Sequence, residues 1–188
     1  MGFAKKLARK KQKAFNKTAS GIKKTATKAD RSYRTSMVEQ LRRDNYLRRI
    51  VSEDILCIFL VSAHRIFGFG KDRLELLYKK TLNQIDCLRK RYVTIYDLEK
   101  IIYEEADFHF IEPKVDRHDT DRKLIQDENN RMSVCFLVAL MDGWGYKGKR
   151  MKRLYEESQR IGVGLRDGEI KIDEVWNELE RTKFKWVA

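Results

Sequence analysis

Phe59-Leu-Val-Ser-Ala-His-Arg-Ile-Phe67-Gly68-Phe69-Gly70-Lys-Asp-Arg73-Leu74-Glu-Leu-Leu77-Tyr78 occurs twice in this chain. Phe136-Leu-Val-Ala-Leu-Met-Asp-Gly-Trp144-Gly145-Tyr146-Lys-Gly-Lys-Arg150-Met151-Lys-Arg-Leu154-Tyr155 matches it without a gap, 77 positions later. Phe59, Leu60, Val61, Gly68, Arg73, Leu77 and Tyr78 recur as Phe136, Leu137, Val138, Gly145, Arg150, Leu154 and Tyr155. The offset holds further on, where Leu88-Arg89 aligns with Leu165-Arg166 and Val93-Thr-Ile95 with Ile170-Lys-Ile172. A match of about fifty residues without a gap predicts a duplicated structural unit.

Each copy reads as helix, turn, helix, loop, helix. Ser52 is placed to cap a first helix whose opening turn carries Glu53 and Asp54. From Ile55 to Phe67 only Ser62, His64 and Arg65 are polar, the pattern of a buried central helix. Gly68 supplies the positive-φ stop. Leu74, Leu77, Tyr78, Ile85 and Leu88 line one face of the second helix. Thr94-Ile-Tyr-Asp97 has the form of a capping box and opens a third helix with Leu98, Ile101 and Ile102. The second copy predicts helices over about 121–141, from Lys149, and from Ile172, with Gly162, Gly164 and Gly168 disturbing the end of the middle one. No Val/Ile/Thr run alternates long enough for a sheet. The expected fold is all-α: two tandem, internally duplicated three-helix units over 35–105 and 122–188, a linker over 106–121 and a basic flexible arm over 1–34.

Charge is distributed unevenly. The chain carries a net +13. Residues 1–34 hold Lys5, Lys6, Arg9, Lys10, Lys11, Lys13, Lys17, Lys23, Lys24, Lys28, Arg31 and Arg34 against one acid, Asp30, so +11 of that total lies in the arm. Such a stretch buries too little apolar surface to offset its ordering entropy. Phe3, Leu7, Ala14, Phe15, Thr18 and Ile22 fall near one face at helical spacing, so the arm can form a basic amphipathic helix on a partner. Nucleic acid is the partner expected first, because dense Lys and Arg neutralise phosphates and release counterions. A solubilising tail, a membrane surface or an acidic protein are the other readings. A helix over 36–50, capped by Ser36, adds Arg42, Arg43, Arg48 and Arg49, offset by Glu39 and Asp44. The nucleic-acid-binding residues expected are the twelve arm cations with Arg42 and Arg43.

The remaining chemistry is sparse. Cys57, Cys87 and Cys135 show no paired spacing and read as free thiols in a reducing compartment. The longest apolar run, Ile55 to Ala63, is too short to span a bilayer. The N-terminus has no apolar signal core, and Lys6 stands where myristoylation wants Ser or Thr. Cytoplasm is the expected location. Asp107, His109, Glu112, Asp116, His118, Asp119 and Asp121 cluster at irregular spacing among bases, a solvated linker rather than a metal or nuclease site. His64, replaced by Met141 in the second copy, reads as a satisfied core histidine. The aromatic-Gly-aromatic turn reads as a core anchor, with base stacking near Arg73 and Arg150 as the alternative. No Ser/His/Asp or Cys/His signature is present, nor the Gly-Lys-Ser/Thr ending of a P-loop. No enzyme, metal or cofactor is expected.

Ala63-His-Arg-Ile-Phe67-Gly-Phe-Gly70-Lys-Asp-Arg73-Leu74, with Tyr92-Val-Thr-Ile-Tyr-Asp97-Leu98 after it, resembles small helical proteins of Firmicutes phages and mobile elements. Ala63-His64-Arg65 departs from the Leu-His-Asp start of their pattern, and the second copy keeps only Trp144-Gly-Tyr146 and Arg150. The resemblance implies a phage- or element-encoded protein, and it is the basic arm that is expected to bind nucleic acid. The resemblance also implies an alternative, an anti-defence factor that inhibits a host CRISPR nuclease by binding the nucleoprotein complex. A structural virion or interaction protein is the third reading. The resemblance assigns no site residue.

Overall fold

A computed structural model describes residues 3–110 and 120–186, with side chains described at residue 33 and from residue 35 onward. The described residues form six helices and no strand: α1 (Phe3–Phe67), α2 (Lys71–Arg89), α3 (Ile95–Ala106), α4 (Thr120–Trp144), α5 (Gly148–Asp167) and α6 (Ile172–Arg181). The protein is all-α. By compactness it divides into residues 1–46 and 47–188.

α1 begins at Phe3 and runs on through residues 36–50, where the sequence predicts a separate helix. The residues explain the continuity. Ala, Lys, Arg and Gln are strong helix formers, and no proline interrupts them. Ser36 lies inside α1 and caps nothing. Tyr33, Met37, Val38, Leu41 and Tyr46 are exposed.

The second unit holds the core. Ser52 also lies inside α1 rather than at a start. Its Oγ sits 2.7 Å from the Arg48 carbonyl oxygen and 2.5 Å from Glu128 Oε1 on α4. A hydroxyl with an i−4 carbonyl in reach need not end a helix. Glu128 is fully buried and also meets Arg48, at 3.5 Å, and Arg131. Buried carboxylates need such partners, because desolvation without them is costly.

Helix starts recur at the repeat offset: Lys71 and Gly148, Ile95 and Ile172. So do the contacts. Gly68 (φ +64°) and Gly145 (φ +62°) end α1 and α4, their amides donating to His64 and Met141 carbonyls at 2.8 Å. Phe59 stacks on its own counterpart, Phe136, at 4.9 Å between ring centroids. Phe67 meets Tyr146 at 4.7 Å and Phe69 meets Trp144 at 5.0 Å, the same pair with the copies exchanged. Arg65 binds Glu157 at 3.0 Å, and its counterpart Asp142 binds Lys80 at 2.6 Å, the same bridge with polarity reversed. The copies therefore do not stand apart as tandem bodies. α2 and α3 pack on α4 of the other copy. The end of α1 reaches α5 and α6 through Arg65 and through Asp54, which accepts from Trp176 Nε1 at 3.2 Å. Residues 47–188 share one core, and each copy completes the other.

The capping box forms as expected. The Thr94 amide donates to Asp97 Oδ2 at 2.8 Å, and the Asp97 amide to Thr94 Oγ1 at 3.2 Å. In α5 the expectation fails: the helix continues through Gly162 and Gly164 to Asp167. Only Gly168, at φ +76°, ends it. Ile170 packs against Gly164, where a Cβ would meet its Cδ1 at 2.7 Å.

Candidate nucleic-acid interface

Of the fourteen cations expected to bind nucleic acid, Arg42 and Arg43 have described side chains, and both are exposed on α1. Lys5, Lys6, Arg9, Lys10, Lys11, Lys13, Lys17, Lys23, Lys24, Lys28 and Arg31 lie on α1 with Arg34, and their side chains fall outside the described ones. Arg48 and Arg49 do not extend the basic face freely. Arg48 reaches Glu128, and Arg49 lies 3.6 Å from Glu53.

The aromatic turn belongs to the core. Phe69 is fully buried, and Phe67, Trp144 and Tyr146 are half-buried around it. The retained arginines lie over aromatic faces, Arg73 over Phe69 at 5.7 Å and Arg150 over Tyr146 at 4.7 Å. His64 Nδ1 lies 2.8 Å from the Phe69 carbonyl oxygen, a satisfied histidine.

Burial pushes the Cys57 and Cys135 thiols up to about 12. At neutral pH both are held as thiols, poor nucleophiles and poor metal ligands. Of the acidic and histidine cluster, Asp107 ends α3 in the left-handed region and His109 meets Tyr103 edge-on at 4.7 Å. Glu112, Asp116, His118 and Asp119 lie outside the described residues. Among the described residues no three His, Cys, Asp or Glu side chains group to hold a metal ion. Among them, too, no helix is long and apolar enough to cross a membrane.

One basic surface escaped the sequence reading. Lys147, Lys149, Arg150 and Lys152, all exposed, rim a cavity of about 920 Å³ floored by Phe108 and Tyr155. The signal was present in the aligned copies, where Asp72 and Glu75 stand opposite Lys149 and Lys152.

Compared with known proteins, the chain matches no family model, no curated protein and no solved structure.

Proposed function

We propose that this protein binds nucleic acid without catalysis, through its basic N-terminal helix and largely independently of sequence. The observation that carries the reading is the twelve-to-one excess of bases over acids in residues 1–34, in a segment that belongs to helix α1. At 100° per residue, the sequence positions of eleven of those twelve bases fall within an arc of roughly 140°. One charged face of this kind follows a row of phosphates, and counterion release supplies the affinity. Phosphate contacts of this type position a protein but do not read bases. The phage or mobile-element setting rests on the resemblance of the Phe67-Gly-Phe-Gly70 region.

A second reading has its own observation. The opposite arc holds Phe3, Leu7, Phe15 and Ile22, and exposed Tyr33 and Met37 follow at helical spacing, which suits an anionic membrane surface. Fluorescence anisotropy against duplex and single-stranded DNA, beside sedimentation with vesicles containing anionic lipid, tests both. Nucleic-acid binding that weakens steeply with salt is the expected result. Vesicle binding without nucleic-acid binding would replace the first reading with the second.

A further inference from the structure

The turns that open α2 and α5 share a backbone and differ in charge. Residues 70–76 carry Lys71 and Arg73 against Asp72 and Glu75, whereas residues 147–153 carry five bases and no acid. The fold does not require the change, since α2 forms at the same offset with its acids in place. Nor does the start of α5 supply the positive field by itself. The Ala106 carbonyl oxygen lies so near Gly148 that a Cβ there would meet it at 2.6 Å, so carbonyls from the end of α3 face that helix start.

The cations are side chains at the mouth of the cavity. Lys152 lies 3.9 Å from Glu156, while Lys147, Lys149 and Arg150 pair with no acid among the described residues. Glu105 and Asp107 also line the rim. Phe108 and His109 join this cavity to a shallower one on α3, lined by Tyr96, Lys100 and Tyr103. Tyr96 and Tyr103 are 70% and 54% exposed. At the matching place on the other half, α6 has Asp173 and Glu180 in place of those tyrosines. Phe184 and Trp186 pack on Tyr78 there at 5.7 and 4.9 Å, much as Phe108 and Phe110 pack on Tyr155 at 5.5 and 5.8 Å, so the two halves differ in charge and in the exposed tyrosines rather than in how that ring is covered.

From this asymmetry we infer that the α3–α5 face is a second nucleic-acid contact, one for a single strand. Lys147, Lys149, Arg150 and Lys152 take phosphates, the exposed 3.9 Å pair of Lys152 with Glu156 being too weak to hold it back, and the aromatic concavity takes unpaired bases. The cavity falls within the usual range of ligand sites, and cations beside exposed rings are what unpaired strands bind. The inference rests on the nucleic-acid reading but not on the arm.

The test is anisotropy of a labelled oligothymidylate and a labelled duplex with the full chain and with Lys149→Asp/Lys152→Glu. That double variant installs residues that the matching turn already folds with. Lys79→Asp/Lys185→Glu matches its net charge at two other exposed sites. The double variant should bind the single strand at least tenfold more weakly, with a salt slope shallower by about 1.4 for two lost phosphate contacts. The charge-matched variant should stay within threefold of the parent, and the duplex should lose less than the single strand. Equal losses in the two variants, or equal losses on both nucleic acids, would overturn the inference. A full chain with Lys5, Lys6, Arg9, Lys10, Lys11 and Lys13 changed to Gln separates the two readings. If only that variant loses affinity, the arm reading stands and this inference falls. If the parent binds neither nucleic acid at low salt, both fall.

Discussion

Arg65→Met tests how the two copies are joined. Arg65 donates to Glu178 from Nε at 2.7 Å and to Glu157 from Nη1 at 3.0 Å, holding the end of α1 to α6 and α5. The Glu157 side chain is 9% exposed, Glu178 28% and Arg65 31%. Breaking a fully buried pair costs about 3–5 kcal/mol, whereas an exposed pair contributes about 0–1. This site lies between those limits. Glu157 also keeps Arg160, at 2.8 Å, when Arg65 is removed. The expected loss is therefore ~2 kcal/mol, or a Tm lower by roughly 4–8 °C for a chain of this length. Lys80→Met breaks the reversed bridge, where Asp142 is 58% exposed, and should cost less.

The pH dependence has a definite sign. Arg160 and Arg65 hold the Glu157 carboxyl below its ordinary range, and Arg65 does the same to Glu178. A carboxylate depressed in the folded state stabilises the fold above its unfolded pKa, near 4.3 for Glu. That contribution is lost as pH falls through the folded value. The gap between wild type and Arg65→Met should thus be full at pH 7 and shrink at about pH 3.5. Urea titration at both pH values measures it. A gap under about 0.5 kcal/mol at pH 7, within the scatter of ordinary surface substitutions, would refute the reasoning, as would a gap that does not change with pH.

Further outcomes follow from single residues. Gly148→Ala drives a methyl into the Ala106 carbonyl oxygen and should cost about 1–3 kcal/mol by overpacking. Gly162→Ala, in open space within α5, should stabilise by about 0.5–1 kcal/mol, and thermal melts of the pair decide both. Phe136→Ala, at a fully buried ring stacked on Phe59, should cost about 3–5 kcal/mol. The Phe59→Ala/Phe136→Ala pair should then lose less than the sum of the two single losses, because the partners share one contact. Thiol titration of the native protein should modify half-buried Cys87 first, with Cys57 and Cys135 reacting only on unfolding.

Much of the body is legible in the two aligned stretches of sequence. Gly68 and Gly145, the Thr94 box and the core faces of α2 and α3 follow from local chemistry, which neighbouring residues decide. The joins were harder. Ser36 and Ser52 look like caps, but a cap forms only where the preceding backbone leaves the helix. Ser52 instead shares Glu128, 76 positions away, a partner that no local pattern announces. Gly162 and Gly164 look like breakers, yet α5 runs through both, with Ile170 packed against Gly164. The interleaving of the copies was hidden for the same reason, since Arg65 meets its partners 92 and 113 positions on. In the candidate interface, the arm is plain from charge alone. The cavity rim needed the fold to bring α3 beside α5.

The central claim is that the basic helix neutralises phosphates, and a salt series on duplex DNA tests it most directly. Full-length protein should bind at low salt with a log–log slope of about −5 or steeper, since each B-DNA phosphate contact contributes about −0.9. Replacing Lys5, Lys6, Arg9, Lys10, Lys11 and Lys13 with Gln should flatten that slope and weaken binding at every salt concentration. No binding by the full-length protein at low salt, or a slope that the six substitutions leave unchanged, would contradict the account.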